Sequence, residues 1–348
     1  MQAICGAVMR YVQMLAVVIL CVGWSSLGHA WGPTGHQIVG QIADESLNAN
    51  AKKRVSEILG YSLSTAAPWL DCVKSVNASF QYVIIARYQQ PCEPFMPQAT
   101  SSTVNDFPEV QRMSDYVKRN WTNCQGRPGK GCHEDYHFAD VDPLNKRYGE
   151  FYGTNTHDIV HAINAALLVL QDKPAPAPFS INDKKEALFL LAHLVGDLHQ
   201  PLHVGAVYLS AAGKEVHPDE PGMSEEQRKA SETAGGNYLQ LGGKNVHSIW
   251  DQMPGTWPAD LRDAIVAKGG AIAKTPGRLD ELAALWASET VVESEKVFAG
   301  LKFESQNGKI WPATSTVDSY NKLVSDLAQT QIEKGGARLA QLLNMVWP

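Results

Sequence analysis

Beyond its first 30 residues the chain lacks any apolar run long enough to cross a bilayer, which excludes a multi-spanning membrane protein. It lacks an excess of basic residues. Its 30 Lys and Arg stand against 36 Asp and Glu, a formal charge of −6, which argues against a broad electrostatic grip on duplex nucleic acid. Its six cysteines include no C-x-x-C pair, so a thiolate zinc site is excluded. Alternating strand patterns are scarce, with one short candidate near Tyr82 to Ile85. No repeat and no linker divides the chain into two cores. These absences leave one mainly α-helical domain over residues 31–348, with 44% hydrophobic residues to fill its core.

The N-terminus reads differently. Arg10 precedes an apolar stretch from Leu15 to Val22, and Gly28-x-Ala30 supplies the small residues of a signal-peptidase site. Residues 1–30 therefore read as a secretory signal peptide, with Trp31 first in the mature chain, no membrane anchor, and a secreted or periplasmic destination. Removing Arg10 takes the formal charge from −6 to −7. Cys5 and Cys21 leave with the signal. Cys72, Cys92, Cys124 and Cys132 remain, and an even number in an oxidising compartment favours two disulfides. Of the three connectivities, Cys124 with Cys132, across the turn-rich 125–131, and Cys72 with Cys92 are favoured. Asn77-Ala78-Ser79 and Asn120-Trp121-Thr122 are glycosylation sequons.

Helical spacing is clear in Ile38, Val39, Ile42, Ala43 and Leu47 behind Pro33, in Ile159 to Leu170, in Leu188 to Leu198, in Leu279 to Phe298 and in Tyr320 to Val346. Gln89 to Val104 and Gly205 to Gly236 read as loops. On the apolar helix around residue 193, His193 and Asp197 stand four apart and share a face. His247 and Asp251 repeat that spacing, and His203 follows a helix-ending proline. One such pair is more simply a hydrogen-bonded core histidine. Two pairs with a further histidine favour chelation of zinc-type cations. A competing motif, His133-Glu134-x-x-His137, matches the zinc-protease signature. The turn-like Gly129-Lys130-Gly131-Cys132 before it and Pro143 after it argue against the long helix a protease needs. His137 therefore reads as a ligand, and His133-Glu134 as coincidence.

The ordered set Trp31-Gly32-x-x-Gly35-His36, Trp69-Leu70-Asp71, His137-Phe138-x-Asp140, His193-x-x-x-Asp197-x-His199-Gln200-Pro201-Leu202-His203, Gly235-Gly236-Asn237, His247-x-x-x-Trp250-Asp251 and Gly336-Ala337-Arg338-Leu339-Ala340 resembles the S1/P1 nuclease family of zinc-dependent endonucleases. The resemblance runs through the whole mature chain, and the polar segment between His203 and Gly235 departs from it. Zinc phospholipases C are a more distant relative by fold. The resemblance implies a phospholipase C/P1 nuclease-type helical fold with a trinuclear zinc cleft. Asp71, His137, His193 and Asp197 would hold one zinc. The Trp31 amino group and carbonyl, His36 and a bridging Asp197 would hold a second, and His203, His247 and Asp251 the third. Three divalent ions would bring the mature chain to about −1. Lys74 and Asn237 would contact phosphate, and with Asp71 and Asp197 they form the catalytic group. Phe138 would stack on an unpaired base, and Asp140 would accept hydrogen bonds from its edge.

The activity implied is cleavage of single-stranded DNA and RNA to 5′-phosphorylated products, with 3′-nucleotides as further substrates, by a monomer. A phospholipase C-like phosphodiesterase and a secreted zinc protease are the alternatives, and Phe138-x-Asp140 suits a nucleobase better than a lipid. The other histidines receive plainer roles. His157 and His161, four apart on a helix, read as surface or supporting residues, His199 as helix packing or support, and His217 as facing water.

Overall fold

The computed structural model describes residues 31–84, 90–100, 102–125, 127 and 129–348. The expected signal peptide (1–30) and Ile85 of the expected short strand lie outside them. Among the described residues the chain is mainly α, with thirteen α-helices and two small sheets. Helix Lys184–Leu198 runs through the middle. Asp183 caps it by accepting from the Glu186 amide at 2.8 Å, and every residue from Glu186 to Leu198 is buried. Such an all-round apolar sequence fits only the centre of a helical packing. Each leucine or phenylalanine taken from water there contributes about 1.5–3 kcal/mol.

Ile159–Leu170, Gly32–Ser46 and the long Tyr320–Val346 pack around this central helix. Gly32–Ser46 begins with Pro33 in its first turn and turns Ile38, Val39, Ile42 and Ala43 into the core. It lies so close to Tyr320–Val346 that a Cβ on Gly336 would fall 2.4 Å from that of Ile42. Trp69 stacks on Phe189 of the central helix with ring centroids 4.5 Å apart, which fixes the short helix Trp69–Val73 against it.

The four-stranded sheet was not anticipated. Its order is Lys244–Asn245, Leu239–Leu241, Trp311–Ser315, Leu301–Phe303, with Leu239 opposite Trp311 in a parallel pair and Leu301 opposite Ser315 in an antiparallel one. Gly242 (φ 57°) and Gly243 (φ 79°) make the two-residue turn between its first hairpin strands. That hairpin delivers the chain directly into helix Val246–Gln252. The short strand expected near Tyr82 is Val83–Ile84, paired with Val76–Asn77.

Both expected loops carry structure. The 89–104 stretch contains 3₁₀ turns at Gln90–Phe95 and Val104–Asp106. The 205–236 stretch contains helix Glu225–Ser231, opened by a reciprocal cap between Ser224 and Gln227, and isolated bridges Tyr208 to Glu232 and Leu209 to Glu215. Helices Ala49–Leu59, Pro108–Arg119 and Ala259–Gly269 were also not anticipated. Both favoured disulfides, Cys72–Cys92 and Cys124–Cys132, are formed.

Candidate metal centre and substrate cleft

One turn of the central helix aims His193 and Asp197 at a common point. Three clusters of potential ligand atoms form around it: His36, His193 and Asp197; Asp71, His137 and His193; and His203, His247 and Asp251. In each, the atoms lie within 4.8 Å of one another and every residue is buried. Asp197 sits between the first two. One carboxylate oxygen lies 3.3 Å from His36 Nε2, the other 2.9 Å from His137 Nδ1 and 3.2 Å from His193 Nε2. His193 Nε2 is also 3.7 Å from Asp71. The His36 and His193 rings stack 3.8 Å apart, and the Gly196 backbone allows it, because a Cβ there would stand 2.9 Å from His36 Nδ1.

Backbone carbonyls orient the imidazoles. His193 Nδ1 donates to Ala67 O at 2.8 Å, His203 Nδ1 to His137 O at 2.7 Å and His247 Nδ1 to Gly235 O at 2.7 Å. A carbonyl only accepts, so each Nδ1 carries the proton, and a ring that is neutral leaves a bare lone pair at Nε2. Burial lowers the pKa of both His203 and His247, the latter to about 3. Yet their Nε2 atoms face each other at 3.1 Å, with Asp251 3.7 Å from that of His247. Two lone pairs at that distance repel unless a cation lies between them. The donor set, imidazole nitrogen and carboxylate oxygen with protons committed behind it, is one that zinc accepts.

Charge points the same way. Burial also lowers His36 and His137. For Asp197, burial opposes ionisation, but the His193 ring beside it and the hydrogen bonds from His137 and His193 outweigh it and hold the carboxyl well below its usual range. Burial raises Asp251 well above its own. Lys74 donates to Asp71 at 2.7 Å, and a cation beside Asp251 would offset the burial that opposes its ionisation.

Trp31 is fully buried at the head of Gly32–Ser46, its indole Nε1 donating to Gly196 O at 2.8 Å beside Asp197. Phe138 and Asp140 are half-buried on extended chain leading away from His137. Burial, then Glu232, pushes the Asp140 carboxyl up to about 7. Asn237 follows two glycines in left-handed conformation. Its amide donates to Ala234 O at 2.9 Å, and its side-chain oxygen accepts from Asn245 at 3.3 Å. Gly235 is obligatory there, since φ is 55° and a Cβ would lie 2.1 Å from Leu202 O.

A family model, S1/P1 Nuclease, matches residues 31–99 and 89–347. The chain belongs to the S1/P1 nuclease family. It is also 25% identical to Endonuclease 2 of Arabidopsis thaliana over 357 residues, 97% of this chain and 98% of that protein. It is therefore a nuclease, a hydrolase whose substrates are nucleic acids.

In this S1/P1 nuclease the protease motif dissolves. Cys132–His137 is a 3₁₀ helix, on which residues four apart do not share a face. His133 belongs to none of the ligand clusters among the described residues, and Glu134 pairs with Lys130 at 2.8 Å. The four remaining histidines need adjustment or detail. His157 precedes helix Ile159–Leu170, so it and His161 do not form a helical pair. His161 bonds Asp158 at 2.9 Å. His199 donates to Val195 O at 2.7 Å and accepts from Arg338 at 2.9 Å, a supporting role as expected. His217, expected to face water, is half-buried and bonds Asp142 at 2.7 Å.

Two residues were missed. Gln200 is fully buried, donates to Asp251 at 3.1 Å and accepts from Leu202 N at 2.6 Å, so it holds a candidate ligand in place. Arg127 lies over the Phe138 ring. Gln200 stands inside the motif and could have been suspected. No local pattern marks Arg127.

Proposed function

We propose that this nuclease, matured by removal of residues 1–30 and exported, acts as a monomeric endonuclease on single-stranded DNA and RNA. It leaves 5′-phosphorylated products and removes the 3′-phosphate of 3′-nucleotides in the same cleft. The observation that carries the reading is the pair of bare imidazole lone pairs of His203 and His247 facing each other at 3.1 Å beside Asp251. It supports a cation at the end of a cleft whose other clusters share Asp197 or His193.

The ligands proposed for three zinc ions are Asp71, His137, His193 and Asp197; the Trp31 amino group and carbonyl with His36 and Asp197; and His203, His247 and Asp251. Zinc bound there would supply an activated water and charge stabilisation for the departing 3′-oxygen, so no protein base is needed. The chain's own residues do the rest. Lys74 and Asn237 hold phosphate oxygens in register. Phe138 offers its ring to an unpaired base, and Asp140 accepts hydrogen bonds from that base's edge when ionised. A base locked in a duplex cannot reach either group, which is why single strands are favoured.

The test compares purified protein on single-stranded DNA, RNA, a 3′-nucleotide, phosphatidylcholine and casein, each with and without chelator. Chelator-sensitive turnover of the first three alone supports the reading. Hydrolysis of phosphatidylcholine or casein in preference to nucleic acid would overturn it.

A further inference from the structure

An arginine lies over the Phe138 ring of the proposed base site. The Arg127 guanidinium carbon stands 5.0 Å from the Phe138 ring centroid. Its Nε donates to Asp135 at 2.8 Å, and that carboxylate is 9% exposed against 52% for the arginine side chain. Asp135 belongs to the 3₁₀ helix that ends one residue before Phe138, and the Cys124–Cys132 disulfide ties Arg127's segment to the same helix. The arginine is thus anchored by one edge. Its terminal nitrogens have no hydrogen-bond partner among the described residues. Its charge is also felt by Asp140, the residue placed at the base edge.

Taking the reading of Phe138 as a base platform, we propose that Arg127 is a substrate-binding residue: its guanidinium forms the second wall of the base site, and the unpaired base enters between it and Phe138. The spacing sets what must move. A base in contact on both faces needs about 7 Å between them, two contacts of about 3.5 Å. The guanidinium therefore swings outward by about 2 Å, within the reach of an arginine side chain. A planar, delocalised cation suits this role because it stacks on a base as it stacks on the ring, and its terminal nitrogens can take a phosphate oxygen of the same nucleotide. The plainer view is that Arg127 merely shields Phe138 from water. That view makes the opposite forecast, because removing a shield frees the platform.

The experiment measures kcat and KM on a short oligo-dA strand for zinc-loaded wild type, Arg127→Ala, Arg127→Lys, Phe138→Ala and the Arg127→Ala/Phe138→Ala double variant. Zinc content and Tm are recorded for each. We expect Arg127→Ala to raise KM about three- to tenfold with kcat nearly constant. Lysine should restore little of the loss, since it carries the charge without the plane. The double variant should be little worse than Phe138→Ala, because the two walls act on one base. A KM that falls or stays level in Arg127→Ala while Phe138→Ala raises it overturns the second wall and leaves the platform standing. Full rescue by lysine overturns stacking in favour of simple charge. A KM unmoved by Phe138→Ala removes the platform itself, and the proposal with it.

Discussion

His193 and Asp197 project from one turn of a helix buried from Glu186 to Leu198, whereas Phe138 and Asp140 lie half-buried on extended chain and Asn237 on a glycine turn. Among the candidate ligands, His193, His203 and His247 are held twice, once by their helices and once by carbonyls that fix the ring's tautomer. The rim residues are held by turns, one hydrogen bond at a time. The contrast separates chemistry from recognition. In the reading proposed, the buried cluster does the chemistry and the rim holds the base. Loss of a ligand should therefore abolish turnover, and loss of a rim residue should change only how well substrate is held.

The largest effect should come from Asp197→Ala. Asp197 touches His36, His137 and His193, so its removal should empty two metal positions and lower turnover roughly a thousandfold or more. Retention of two zinc ions in a folded, inactive variant would show that Asp197 is not shared.

Next is an extra alanine before Trp31. An amide nitrogen has no available lone pair, so the extended chain should fold, lose one zinc and lose most activity. Full activity with unchanged metal would remove Trp31 from the ligand set.

Gln200→Ala sharpens the comparison from inside the cluster, because Gln200 steadies Asp251 without being a ligand. Zinc affinity at that position should fall about ten- to a hundredfold, read by chelator titration. An unchanged titration would mean Asp251 needs no such partner.

The smallest effect belongs to the rim and is read by pH. The Asp140 carboxyl is pushed up to about 7 from its ordinary value of 3.8, so the folded chain binds this proton more tightly than the unfolded one. Its contribution to stability is present at low pH and is lost as pH rises through that window. The Tm of wild type relative to Asp140→Asn should therefore decline between those two pH values. A constant difference would place Asp140 in an ordinary solvated setting.

The same contrast explains what could be read beforehand. Period-four spacing put His193 with Asp197, and His247 with Asp251, on helix faces, and apolar periodicity marked Tyr320–Val346 to the residue. The amphipathic pattern of Val110, Met113, Tyr116 and Val117 in helix Pro108–Arg119 was equally local, as was the Ser224/Gln227 cap, and both could have been found. The four-stranded sheet could not, because its strands are two to five residues long and Leu239 pairs with the distant Trp311. Arg127 over Phe138 depends on a disulfide and on a buried Asp135, neither of which gives a spacing signal.

In the reading proposed, the cleft holds three metals and is completed by the Trp31 N-terminus. Elemental analysis of the mature, fully active protein, with the residual activity of each partly depleted sample, tests it most directly. Three zinc ions per chain, with activity lost as the first is withdrawn, is the expected result. One zinc per chain at full activity would contradict it.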